Sequence, residues 1–132
     1  MKLEFVDNVS EYGDQTIRLF DFNKELATKF RDAVQKTLLD DNKSLDLSTF
    51  DFIDCGKFKL ILHLSEEDEG VMTQDNLLFF CDLTRKGYEN MIRLLAPFCN
   101  KDTRSFQMLY DLDTEIDFQF APYGESEREP DE

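Results

Sequence analysis

Residues 57–64 (Lys-Phe-Lys-Leu-Ile-Leu-His-Leu) and 77–83 (Leu-Leu-Phe-Phe-Cys-Asp-Leu) alternate with a period of two, yet apolar residues occupy both sides of the alternation. Phe58, Leu60, Leu62 and Leu64 line one side of the first run. Leu77, Phe79, Cys81 and Leu83 line one side of the second. On the opposite side stand Ile61, Leu78 and Phe80, joined by Leu109 from a later run and by Phe20 or Phe22 according to which face of their strand meets the helices. Leaving such a side chain in water forgoes about 1.5–3 kcal/mol, and large exposed apolar patches are uncommon on monomers. The chain must therefore build a β-layer that is sheltered on both faces. Within the chain, residues 40–56 can supply the second cover through Leu45, Leu47, Phe50, Phe52 and Ile53. Outside it, the cover is a second copy or a different protein.

Further period-two runs place strands at Thr16–Phe22, at Phe106/Met108/Tyr110 and at Ile116/Phe118/Phe120, with Leu3 and Phe5 in a short first strand. If the two late runs form a hairpin with their apolar sides together, paired residue numbers must sum to an even number, with an odd-length turn near Leu112-Asp113-Thr114. Residues 65–76 read as a long hairpin loop. Leu26, Ala27, Phe30, Ala33, Val34, Thr37 and Leu38 lie on one helical stripe behind an Asn23 cap. Tyr88, Met91, Ile92, Leu95 and Phe98 form a second stripe behind Thr84, with Pro97 at its closing turn. The expected fold is α+β: a mainly antiparallel sheet of five to seven strands with two amphipathic helices on one face. Residues 1–123 are expected to form this single domain. The stretch from Gly124 to Glu132, which has no apolar residue to bury, is expected to be an acidic disordered tail.

One echo crosses the chain. Ile17-Arg-Leu-Phe-Asp-Phe-Asn23 and Leu78-Phe-Phe-Cys-Asp-Leu-Thr84 share the order apolar strand, Asp, apolar residue, helix cap, at an offset of 61 residues. Duplication of a strand–helix–two-strand unit would produce it.

Charge narrows the partners. With 15 Lys+Arg against 29 Asp+Glu the net charge is −14, which argues against nucleic acid or an anionic membrane surface. No apolar run approaches the roughly 18 residues that a membrane span needs. The three cysteines, an odd count without metal-knuckle spacing and without a signal peptide, point to a cytoplasmic location. Cys55, beside Gly56, is the one expected to be an accessible thiol. The helices each carry a small net positive charge, so the acids fall on loops and edges, most densely at Glu66, Glu67, Asp68 and Glu69. That run is expected to form an acidic rim beside the apolar sheet face.

Catalytic chemistry is not visible. His63 is the single histidine, no Ser or Cys is placed to use it, and none of the five glycines forms a phosphate-cradling motif. Asp111-Leu-Asp-Thr-Glu-Ile-Asp117 has acids at calcium-loop spacing but lacks the glycine of the sixth position. No catalytic residue, metal ligand or cofactor is assigned. The reading is a non-catalytic interaction module, docking itself as a homodimer or a basic protein as inhibitor and immunity proteins do. The alternative is a small-ligand or metal-dependent enzyme using carboxylates from Asp51/Asp54 or Glu66–Asp68.

Overall fold

The computed structural model describes residues 1–7 and 15–122, so the acidic tail lies outside the described residues. The class is α+β, with two four-stranded sheets in place of the single sheet expected. In order along the chain the elements are β1 (Lys2–Asp7), β2 (Gln15–Phe20), α1 (Lys24–Ala33), β3 (Leu45–Asp46), β4 (Lys59–Leu64), β5 (Gly70–Thr73), β6 (Leu78–Leu83), α2 (Arg85–Asn100), β7 (Gln107–Met108) and β8 (Ile116–Phe120). Sheet A runs β1-β2-β8-β7 and sheet B runs β3-β4-β6-β5. In each sheet the central pair is parallel and the two flanking pairs are antiparallel.

The connectivity repeats. Strand, strand, helix, strand, strand occurs twice, and each sheet combines the first hairpin of one unit with the second hairpin of the other. The 61-residue echo coincides with that repeat at the helix caps, whereas in the strands it sets the inward Ile17 and Leu19 against the outward Leu78 and Phe80. Asn23 Oδ1 accepts from Leu26 N at 3.0 Å, and Thr84 Oγ1 accepts from Gly87 N at 3.0 Å, the same pair one offset later. Both caps are as the sequence predicts. Each helix start also receives a distant carboxylate: Asp102 on Lys24 N at 2.7 Å, and Asp68 on Thr84 N at 2.8 Å. Anionic groups are favoured there because the first backbone N–H groups of a helix have no internal partner. After Ala33 the first helix widens into a π-helical segment, Val34–Asp40, which still buries Val34, Leu38 and Leu39.

The inner faces of both sheets and one stripe of each helix enclose a common core. Phe5 of β1 meets Phe79 of β6 with ring centroids 4.9 Å apart, and Phe120 of β8 stacks between Phe22 and Phe30. Tyr110 ties the sheets directly. Its hydroxyl accepts from Val71 N at 3.0 Å on β5 and donates to the Ile116 carbonyl on β8. Gly70 makes the approach possible: its φ is +78° and a Cβ would come within 3.0 Å of the Tyr110 ring.

Two expectations about the sheets are corrected, and one of the alternatives for covering the second face is closed. Strands β4 and β6 are parallel, so residues 65–76 are not a simple hairpin loop; they contain β5, whose Val71 enters the core. Gln107 pairs with Phe120 and Met108 with Gln119, sums that are odd where an even one was expected. This one-residue slip turns Leu109, not Met108, toward Phe118, and Leu109 is 0% exposed. Finally, residues 40–56 do not cover the second face of sheet B, because Leu45, Leu47 and Ile53 point into the core.

Candidate docking face

Sheet B presents its outer face as rows of side chains running across the strands. Leu60 and Leu62 of β4, and Phe79, Cys81 and Leu83 of β6, point inward and are buried. Their neighbours must therefore point outward. Register places Ile61 beside Phe80 and Phe80 beside Met72, an apolar row across three strands. Leu78 lies in the next row, beside Lys59. Ile61, Leu78 and Phe80 are half-buried, while Met72 is 38% and Leu77 46% exposed. Three of the four residues expected on this face are thus brought together. Leu109 is not among them, since the register slip in sheet A puts it in the core.

The matching row of sheet A has a different chemistry. Glu4, Arg18 and Gln119 are register partners across β1, β2 and β8. Arg18 bonds Glu4 at 2.7 Å with one guanidinium nitrogen and donates to Gln119 Oε1 with another. Arg18 is buried yet satisfied on both sides, as a buried charge must be. The outer row of sheet A is therefore a closed polar network across three strands that ends at Met108, and the outer row of sheet B is aliphatic and aromatic across three strands and ends at Asp46.

The border of the sheet B face is charged. His63 stacks on Phe80 with centroids 5.2 Å apart, and its Nδ1 lies 3.2 Å from Asp82 Oδ1. On the β3 side Asp46 pairs with Lys59 at 3.3 Å. Partial burial pushes the Asp46 carboxyl up, but the Ser48 hydroxyl and N–H together with Lys59 outweigh it and hold the group below the ordinary carboxylate range. At the turn between β5 and β6, the Leu78 and Leu77 N–H groups hold the Asp75 carboxyl below that range as well.

The acidic run divides between two tasks. Glu66, Glu67 and Glu69 are exposed in the loop between β4 and β5, and Glu69 N bonds the Asp82 carbonyl at 2.9 Å, which fixes the loop to the His63 end of the face. Asp68 is instead committed to α2, accepting from both Thr84 N and Thr84 Oγ1. Sequence spacing gave no sign of this pairing, which spans 16 residues.

The other chemical candidates do not converge. Cys55 is buried, and burial pushes its thiol up to about 11, so the expected accessible thiol is corrected. Burial likewise takes Cys81 up to about 12. Asp54 is occupied at the edge of β1, where its carbonyl accepts from Leu3 N and its side chain from Gly56 N, each at 3.0 Å, and both Asp54 and Asp51 are exposed. Among the described residues no three His, Cys, Asp or Glu side chains gather as a metal would require, and no helix is long and apolar enough to cross a membrane.

Comparisons with protein-family models, with curated proteins and with solved structures return no match.

Proposed function

We propose that this chain is a non-catalytic interaction module that docks a basic protein through the outer face of sheet B, in the manner of an inhibitor or immunity protein. The observation that carries the reading is the contrast between equivalent rows. Met72, Phe80 and Ile61 occupy sheet B where sheet A has the closed Glu4–Arg18–Gln119 network. A fold able to finish the centre of one outer face with polar groups has left the centre of the other apolar, and a partner is the economical reason.

Charge selects between the occupants. The border contributes Glu66, Glu67, Glu69, Asp75 and Asp82, against Lys59 already paired with Asp46. In a chain of net charge −14, two copies face to face would bring these borders together, whereas a basic surface would neutralise them. An apolar centre inside a charged rim also has the anatomy of a protein interface.

Photo-cross-linking tests the reading. A benzophenone side chain at Ile61, in cells that make the protein, is expected to capture a protein of basic composition. The same group at Val6, on the outer face of sheet A, is expected to capture none. In extracts, the adduct yield should fall steeply between about 50 and about 500 mM salt. Capture of a second copy alone, equal capture from Val6, or no adduct would overturn it.

A further inference from the structure

Beside the apolar row, the turn between β5 and β6 borders an open cavity of about 350 Å³ lined by Met72, Thr73, Gln74, Asp75, Leu78 and Phe80. Its size is at the lower end of ligand pockets, about 300–1,000 Å³, which suits one long side chain. Its apolar wall comes from Met72, Leu78 and Phe80. One face of the Phe80 ring is covered by His63, and the ring itself bounds the cavity. Its charged wall is Asp75. That carboxylate is fixed in place because Oδ1 accepts from Leu77 N at 2.9 Å and from Leu78 N at 3.0 Å. The turn is pinned a second time by Thr73 Oγ1, which donates to the Leu78 carbonyl at 2.7 Å and accepts from Asn76 N at 3.0 Å.

We propose that this cavity is the anchor site of the docking face and takes an arginine side chain of the partner. The alkyl stem lies along Met72 and Leu78, the planar guanidinium packs on Phe80, and its N–H groups meet the Asp75 carboxylate. The cavity is apolar along its length and anionic at one edge, a combination that matches the two-part chemistry of arginine. A planar, weakly hydrated cation also gains more from an aromatic wall than a compact, strongly hydrated ammonium does. Interfaces concentrate their binding energy in a few such anchors, with arginine among the most frequent. The anionic edge disfavours a glutamate or aspartate, and a purely aliphatic side chain would leave Asp75 without a counter-charge.

The inference rests on the docking reading, and amide-shift NMR on the full chain separates the two. N-acetyl-arginine amide, titrated at low salt, is expected to shift the amides of Thr73, Asp75, Leu78 and Phe80 saturably, in the millimolar range proper to so small a ligand. N-acetyl-norleucine amide, which keeps the stem and drops the charge, should bind about two- to fivefold more weakly, the range proper to one exposed ion pair. Asp75→Asn retains an oxygen acceptor for Leu77 and Leu78, so the turn persists, and it should weaken arginine amide by a similar factor without changing norleucine amide. Equal binding of the two probes, shifts centred elsewhere, or an unaffected Asp75→Asn variant would overturn the assignment. Ile61 lies outside the cavity. Cross-linking from Ile61 with no arginine binding would sink the anchor alone, whereas arginine binding with no cross-link would sink the docking reading and leave only a cavity with affinity for arginine.

Discussion

Tyr110→Phe removes one oxygen from the point where the two sheets are joined, and its cost follows from the partners of that oxygen. Val71 N–H is buried and donates to the Tyr110 hydroxyl at 3.0 Å. Without it the donor is stranded, which costs about 1–3 kcal/mol. The Ile116 carbonyl loses the phenol but keeps the Thr114 hydroxyl at 3.0 Å, so only the net worth of one bond is lost there, about 0.5–1.5 kcal/mol. The ring that packs on Gly70 is retained. The sum, about 1.5–4.5 kcal/mol, should appear in equilibrium urea unfolding as a midpoint lowered by about 1–2 M with an unchanged slope. Alkaline pH provides a second readout. Burial holds the Tyr110 phenol up to about 12, above the ordinary value of about 10 in the unfolded chain. The stability linked to it is complete below pH 10 and is lost as pH rises toward 12. Tyr110→Phe should remove that part of the alkaline loss, leaving the part due to Tyr88, Cys55 and Cys81, which burial also raises. A change below about 0.5 kcal/mol, or an alkaline limb identical to that of the wild type, would refute the role given to Tyr110.

Three further outcomes follow from the same geometry. Phe80→Asp is expected to leave a folded monomer by light scattering, destabilised by no more than about 2 kcal/mol, because Phe80 faces outward and is half-buried; aggregation or global unfolding would place it in the core instead. Asp68→Ala should destabilise the chain by about 1 kcal/mol through loss of the carboxylate at Thr84, while Glu67→Ala in the same loop should lie within about 0.5 kcal/mol of wild type in chemical denaturation. In thiol titration near pH 8, Cys99 should be the one residue that reacts readily in the native protein, with Cys55 and Cys81 appearing only after denaturant is added, since burial keeps both as thiols; rapid reaction of Cys55 would contradict its position.

The sequence carried the elements and their inward faces more clearly than their pairing. Period two is a property of one strand, so it revealed that Leu60 and Phe79 point one way and that Ile61 and Phe80 point the other. It says nothing about which strand lies alongside. The parallel pairings of β2 with β8 and β4 with β6 were therefore hidden, and with them the division into two sheets. The echo between Ile17–Asn23 and Leu78–Thr84 was the one signal that could have exposed them, since a repeated unit can exchange hairpins between its halves. Strand β5 was masked by its position just after four consecutive acids. Leu109 was misplaced by a single residue of register, a choice made by the β7–β8 ladder and not by local pattern. The Arg18 network and the Asp68 cap depend on partners distant in the chain, which no local spacing records.

Hydroxyl-radical footprinting, with the protein in its own cells and after purification, tests the docking face most directly. Met72 is 38% exposed in the outer row of sheet B, and Met108, in the row of Gln119 on sheet A, serves as the internal reference. If a partner sits on sheet B, Met72 oxidation relative to Met108 should fall several-fold in cells and recover when the protein is purified at high salt. An identical Met72-to-Met108 ratio in both settings would mean that nothing covers this face, and the proposed role would fail with it.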